Sequence, residues 1–219
     1  MVMKKYFGIA FVFALLLGFI ATTAQAQTYA FGNLAAVWVS DADVEFDVPG
    51  FGTGITLAEI SFDSGIGFTG GFGHAYGNGL RTEVELAYRK NDLDMLTGRG
   101  PFTELESTPM NGDISSLALM INGFYDFDLG LPVTPFAGAG LGIARVRIDS
   151  DWLGVDSSDT VFAYQLGAGV AFALNPQVNV DLQYRFFATL DPELKFTSGD
   201  RFDTEYMTHN VMLGLRYNF

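Results

Sequence analysis

The feature that most constrains the fold of this chain is a near-strict alternation of apolar and polar residues. In residues 80–90, LRTEVELAYRK, the even positions are mostly apolar or aromatic and the odd positions are mostly charged. Residues 177–187, QVNVDLQYRFF, repeat the pattern. A period of two residues is typical of a β-strand that has one apolar face. The sequence therefore predicts an all-β protein.

Six further segments fit the same template with smaller residues on the second face: roughly 28–39, 65–76, 115–127, 133–146, 160–173 and 206–219. Eight strands of about 10 to 14 residues result, each near the length that crosses a bilayer at a tilt. The connections alternate between short ones (77–79, 128–132 and 175–177) and long ones (40–64, 92–112, 149–159 and 190–205). Short turns on one rim and long loops on the other are typical of an outer-membrane β-barrel.

A ten-stranded barrel is an alternative to this prediction. Residues 54–62, GITLAEISF, lie in the first long connection and also have strand character. We interpret them as an extension above the membrane.

The N-terminal segment predicts export. The pattern is carried by Lys4, Lys5, the apolar residues 6–20 and Ala24-Gln25-Ala26. A positive start, an apolar middle and small residues before the cleavage point are typical of a secretory signal peptide. We expect cleavage after Ala26, which leaves residues 27–219 as one barrel domain with no room for a periplasmic domain. An uncleaved membrane anchor is the alternative, because residues 6–24 are nearly long enough to span a bilayer.

Composition supports the membrane setting. Apolar residues make up 49% of the chain and aromatic residues 15%, yet no stretch after residue 26 is long enough for a transmembrane helix. A soluble β-sandwich or lipocalin-like barrel also alternates, but it exposes its polar parity. In this chain the residues on the polar face of the strands are too small and too rich in glycine to cover a soluble surface.

Charge and cysteine content exclude other classes. The formal net charge is −13, and loss of the two signal lysines moves it to about −15, whereas nucleic-acid binding needs a basic footprint. Nucleic acid is therefore excluded as a partner. The chain has no cysteine, so that neither a disulfide framework nor thiolate chemistry is available.

Aromatic residues of the predicted outward face fall into two groups. Those beside a short turn or the C-terminus are Tyr76, Phe127, Phe172 and Phe219. Those toward the long loops are Phe68, Tyr88, Phe162, Tyr184 and Phe186, with Trp38 at the same end on a strand of ambiguous parity. Two aromatic belts mark the two membrane interfaces of a barrel.

Two segments resemble a known family: residues 75–92, AYGNGLRTEVELAYRKND, and residues 121–146, INGFYDFDLGLPVTPFAGAGLGIARV. They are similar to the small outer-membrane β-barrels that include opacity-type surface proteins and the OmpA-like transmembrane domain. The resemblance covers nearly the whole chain after residue 26, the strands and short turns more closely than the loops. It implies an eight-stranded, antiparallel, up-and-down barrel in the outer membrane of a Gram-negative bacterium.

The resemblance implies less about activity. Members are often labelled porins, but they share a scaffold and differ in their loops, so that conduction does not follow. The family also implies a role for the last strand, whose aromatic end is read by the barrel assembly machinery. In this chain the residues in question are Leu213, Leu215, Tyr217 and Phe219.

The residues on the polar face of the strands predict what fills the barrel. If the apolar face meets lipid, four basic and four acidic residues point inward: Arg81, Glu83, Glu85, Arg89, Asp126, Asp181, Arg185 and Arg216. Buried charges need partners, and an eight-stranded barrel is just wide enough for its own side chains. We therefore favour an ion-paired plug, with a charged pore for small solutes as the alternative. We expect Gly138, Gly140 and Gly142 to make room for long charged neighbours.

We expect no catalytic, metal or cofactor site. Lipid-modifying barrels of the deacylase type carry a serine two residues after the catalytic histidine. In this chain Val211 lies two residues after His209, and His74 is the other histidine. Residues 149–160 echo a calcium loop, but Leu153 and Thr160 occupy ligand positions. We interpret that segment as a solvated acidic loop, and weak divalent-cation binding is the alternative.

Most of the 25 acidic residues lie in or beside the long loops. We therefore expect the function of the protein to reside in these loops. We expect a surface protein for envelope integrity, adhesion or host contact. Its partners would be outer-membrane lipid, the barrel assembly machinery, and host or surface ligands. A small-solute channel and an outer-membrane lipid-modifying enzyme are the alternatives.

Overall fold

The computed structural model describes residues 27–40, 42–48, 52–98, 108–109, 111–150, 155–190, 192–195, 201–203 and 206–219. The predicted signal peptide, with Ala24 and Ala26 at its cleavage site, lies outside the described residues. Within the described ranges the structure has no helix that is both long enough and apolar enough to cross a membrane.

Eight antiparallel strands form the wall of a closed barrel. In chain order they are β1 (Gln27–Val39), β2 (Gly65–Ala75), β3 (Leu80–Gly98), β4 (Asp113–Asp126), β5 (Thr134–Ser150), β6 (Val155–Ala173), β7 (Val178–Thr189) and β8 (Met207–Asn218). Each strand pairs with the next one along the chain, and β1 pairs with β8, where Leu34 faces Leu213. Closure leaves no unpaired edge, which a sheet in lipid requires. The predicted eight-stranded barrel is confirmed.

Within the described ranges, five further strands lie in the long connections: Ala42–Val48, Gly52–Phe62, Thr108–Pro109, Glu193–Lys195 and Arg201–Asp203. The strand over residues 52–62 pairs with residues 42–48 on one side and with the far end of β3 on the other, where Ala58 faces Gly98. It is therefore an extension beyond the ring of eight, as the sequence predicts.

The three short turns follow the prediction. Gly77 and Gly79, with φ of 74° and 88°, and Gly130, with φ of 66°, adopt the left-handed backbone that glycine tolerates. The side chains of Asn78 and Asp128 accept hydrogen bonds from backbone N–H groups two residues on, at 3.0 and 3.1 Å. These local bonds close the turns without help from the rest of the barrel.

The outer face of the barrel is apolar and exposed. Leu34, Phe72 and Leu213 are 61%, 65% and 59% exposed, which fits contact with lipid rather than water. The two predicted groups of aromatic residues lie at the two ends of this face, and Trp38, whose parity is ambiguous in the sequence, faces outward among them.

The interior contains an apolar cluster as well as the charged residues. The cluster fills the lumen toward the long loops and consists of Val39, Ala87, Ile114, Ala118, Met120, Ala144, Val146, Ile148, Val155, Ala163, Phe187 and Tyr206. Seven of the eight charged residues lie below it, toward the short turns, whereas Arg89 lies among its members, beside Phe187. The lumen is thus divided into a charged layer and an apolar cap, and the cap was not predicted from the sequence.

Candidate functional site

The lumen is the candidate site, and its lowest group is built around Arg81. This side chain lies at the short-turn end of β3, and its Nε donates to both oxygens of Asp126, at 2.9 and 2.8 Å. Its Nη1 donates to Glu83 Oε1 at 2.9 Å. The Tyr29 hydroxyl donates to the same oxygen at 2.7 Å and accepts from Arg81 at 3.0 Å. One buried guanidinium therefore faces two carboxylates.

The middle of the lumen holds a deeply buried ion pair between Arg185 and Glu85, whose side chains are 1% and 0% exposed. Arg185 Nη1 donates to Glu85 Oε2, and Nη2 donates to Gln183 at 2.8 Å. Glu85 also accepts bonds from Gln165 at 3.3 Å and Asn122 at 3.4 Å. These amides supply the extra hydrogen bonds that make burial of an ion pair tolerable.

A third pair joins β7 to β8. Arg216 Nη2 donates to Asp181 Oδ1 at 3.0 Å, and both side chains are largely buried. The Arg216 guanidinium carbon also lies 5.3 Å from the centre of the Tyr29 ring. This contact links the third pair to the group around Arg81.

Arg89 differs from the other inward arginines. Its Nε donates to Asn210 Oδ1 at 3.1 Å, and its guanidinium carbon lies 4.0 Å from the centre of the Phe187 ring. Within the part of the chain that the structure describes, Arg89 is in no ion pair, and its Nη1 and Nη2 have no hydrogen-bond partner. Of the eight charged residues predicted for the lumen, the structure brings the other seven into ion pairs.

Very little space remains between these groups. The cavity in the charged layer has a volume of about 10 Å³, which is room for roughly one water molecule. It is lined by Phe31, Asn33, Arg81, Glu83, Phe124, Phe136, Asp181, Gln183 and Arg185. The described lumen is filled by side chains, as an ion-paired plug requires.

Sequence reasoning missed the aromatic residues of the lumen. The Arg81 guanidinium carbon lies 5.1 Å from the ring centres of both Phe124 and Phe136, and these rings meet edge to face. Phe187 and Tyr206 are likewise inward aromatic residues that pack against each other, in the apolar cap, with ring centres 6.2 Å apart. Their inward parity was the available signal, because an aromatic residue on the charged parity of a strand cannot belong to the lipid face.

The glycines of β5 make room for uncharged neighbours, which corrects the prediction of charged ones. A Cβ at Gly138 would lie 2.4 Å from the Phe124 ring, and one at Gly140 would lie 1.9 Å from Asn122 Oδ1. At Gly142 it would meet the backbone oxygen of Leu119 at 2.1 Å. The long charged side chains of the lumen lie on other strands, β3, β7 and β8.

Both histidines lie on the outer face. His209 Nδ1 is 2.5 Å from the Tyr184 hydroxyl, and its ring is 5.5 Å from that of Phe186. His74 Nδ1 is 3.4 Å from Thr28 Oγ1 at the opposite end of the barrel. The four residues of the predicted assembly signal also face outward, with exposures of 59% for Leu213, 58% for Leu215, 47% for Tyr217 and 69% for Phe219.

The segment that echoes a calcium loop is only partly described, since residues 151–154 lie outside the described ranges. Of its remaining acids, Asp149 and Asp156 both accept bonds from Arg147, at 3.2 and 2.9 Å. The described residues contain no group of three or more His, Cys, Asp or Glu side chains that could hold a metal ion.

Comparison with known proteins gives one family. Residues 11–219 match the model of the outer membrane protein beta-barrel domain. Among individual relatives, outer membrane protein PagN of Salmonella typhimurium is 24% identical over 64% of this chain. A candidate adhesin of Rickettsia conorii, RC1281, is 29% identical over 71% of this chain. The matches span 65% and 69% of the lengths of these two proteins.

Solved structures agree on the fold. The crystal structure of Neisserial surface protein A superposes with a TM-score of 0.56 at 21% sequence identity, and the match covers 89% of this chain and 99% of that one. At this level of identity the likeness concerns the fold alone.

Proposed function

Because this chain belongs to the outer membrane protein beta-barrel domain family, we propose that it is a non-conducting, non-catalytic surface protein that acts through its extracellular loops. It resides in the bacterial outer membrane, with its apolar face in lipid. The three short turns face the periplasm and the long acidic loops face the medium. Residues 1–26 are removed during export, and the assembly machinery reads the last strand.

The observation that carries this proposal is the filled lumen. Three ion-paired groups occupy the charged layer, and the cavity between them has a volume of about 10 Å³. A conducting path needs a continuous column of water, whereas this space holds roughly one molecule. The apolar cap over the charged layer adds a second barrier, because an ion would lose its hydration there.

Adhesion is the loop function that the relatives support. The Rickettsia relative is named as an adhesin, and the Salmonella relative is named as an outer membrane protein. The loops of this chain carry most of its 25 acidic residues. Complementary charge at an interface steers association, so that the surface ligand would carry positive charge.

The positions of the histidines support a non-catalytic role. His209 faces outward in the aromatic belt and bonds to Tyr184, and the residue two positions on, Val211, is an exposed lipid-facing side chain. The hydroxyl in hydrogen-bond reach of His209 is that of Tyr184, which lies on the lipid-facing surface and outside the lumen, and the serine of a deacylase-type barrel is absent at position 211. We expect the mass spectrum of lipid A to be unchanged in cells that overexpress this protein, and a modified lipid A would contradict this part of the proposal.

The adhesion proposal is tested in a Gram-negative strain that lacks its own adhesins. Surface expression of the full chain should increase attachment of the bacteria to cultured epithelial cells. A triple variant, Asp41→Asn, Asp43→Asn and Asp47→Asn, removes charge from the first long loop and should reduce attachment. Asp128→Asn, in a short periplasmic turn, is the matched control and should attach like the wild type. Attachment no higher than in the empty strain, at equal surface levels, would contradict the proposal.

A further inference from the structure

The upper lumen contains a buried cation that the ion-pair network leaves out. Arg89 is 1% exposed, and neither its Nη1 nor its Nη2 has a hydrogen-bond partner. The ring of Phe187, 4.0 Å from the guanidinium carbon, provides a cation–π contact, which does not replace hydrogen bonds to four N–H groups. An unpaired buried charge is costly, so that the position calls for an acceptor.

Other groups around Arg89 also lack a partner. Ser116 is directly opposite Arg89 in the pairing of β3 with β4, and both side chains face inward. The Tyr206 ring packs on Phe187, the same ring that Arg89 contacts, with ring centres 6.2 Å apart. Ser116 Oγ and Tyr206 OH are buried without a hydrogen-bond partner. Two hydroxyl groups and two guanidinium nitrogens therefore share one region, and no carboxylate of the described residues pairs with Arg89 there.

Charge is distributed unevenly along the lumen. The inward set contains four arginines and four carboxylates, but Arg81, near the short turns, faces both Glu83 and Asp126. Glu85 is engaged by Arg185. The eight charges balance over the whole lumen, but Arg89 leaves an excess of positive charge among the residues of the apolar cap.

We propose that the upper lumen binds one small monovalent inorganic anion, such as chloride, through Arg89, Ser116 and Tyr206. The anion accepts hydrogen bonds from the two guanidinium nitrogens and from both hydroxyl groups. Apolar neighbours such as Ile114 and Met120 exclude larger oxyanions, because these would need more donors than the region offers. This site would serve the barrel's stability and does not depend on the adhesion proposal.

The test measures unfolding of the full barrel in detergent at constant ionic strength, with chloride replaced stepwise by gluconate, which is too large for the site. The urea midpoint of the wild type should rise with chloride and reach a plateau. Arg89→Gln should lose this dependence. Arg147→Gln removes an arginine that is 51% exposed, and it should keep the dependence, which controls for general salt effects.

Two milder variants keep the test decisive if Arg89→Gln does not fold. Tyr206→Phe and Ser116→Ala retain the guanidinium and each remove one donor. Each should therefore raise by about tenfold the chloride concentration that gives half of the full rise in the urea midpoint, the half-effect concentration. Crystals grown in bromide should show an anomalous peak beside Arg89. A wild type that responds equally to chloride and gluconate, an unchanged half-effect concentration in both variants, or a bromide map without that peak would overturn the proposal.

Discussion

Arg185 and Glu85 are 100 residues apart in the sequence and form the most deeply buried ion pair of the lumen. The alternation of residues identifies both as inward, because parity decides the face of a strand. It does not identify them as partners, because pairing depends on the relative heights of strands on different sides of the ring. For the same reason the sequence could not show that Arg89 has no carboxylate beside it.

The buried pair should dominate the stability of the lumen. Glu85→Gln keeps the shape of the side chain but leaves Arg185 uncompensated, which should lower the free energy of unfolding by about 3–5 kcal/mol. Asp149→Asn breaks a pair with Arg147 whose side chains are 48% and 51% exposed, and it should cost about 1 kcal/mol or less. Urea titration of the refolded barrel measures both. Equal losses in the two variants would show that burial of the pair is unimportant.

Glycine positions in the wall give a second test at this scale. A Cβ at Gly142 would lie 2.1 Å from the backbone oxygen of Leu119, whereas one at Gly123 would meet nothing within 4 Å. Gly142→Ala should therefore destabilise the barrel by about 1–3 kcal/mol through overpacking. Gly123→Ala should be neutral or stabilising by up to about 1 kcal/mol, since it restricts the unfolded chain. A neutral Gly142→Ala in the same titration would contradict the tight packing of β5 against β4.

At the scale of elements, the strands were readable because lipid imposes a simple rule on them. All eight predicted segments correspond to strands of the ring, and the short turns carry the glycine and asparagine that such turns need. The strands β3 and β6 are nevertheless longer than predicted, with 19 residues each. Beyond the membrane the pattern of alternation weakens, because both faces meet water or loop, while backbone pairing continues. The end of β3 pairs there with residues 52–62.

The closing strand carries a prediction about assembly. Phe219 is 69% exposed on the outer face, and its ring is 5.5 Å from that of Tyr217. If the family's assembly signal operates here, Phe219→Ser should reduce the amount of protein in the outer membrane while the purified, refolded barrel keeps its stability. Phe172→Ser is the matched control, because Phe172 is an exposed aromatic residue of the same belt. Equal membrane levels for both variants and the wild type would refute an assembly role.

At the scale of the whole molecule, the barrel combines an apolar exterior with a lumen that is full. The exterior follows from the sequence, since 49% apolar residues without a long apolar helix leave a period-two arrangement as the solution. The inward charges were also predictable, but the apolar cap was not. Its members, such as Ile114, Ile148 and Val155, lie in the strand ends nearest the long loops, where the sequence does not indicate which parity faces inward.

The measurement that tests the central claim most directly is single-channel recording of the full chain in planar bilayers. Insertion and folding should be verified first by the heat-dependent shift in gel mobility, and a general diffusion porin serves as the positive control in the same membrane. The filled lumen, with a cavity of about 10 Å³, predicts a silent bilayer in concentrated salt. Discrete current steps that scale with salt concentration, from correctly folded protein, would contradict it.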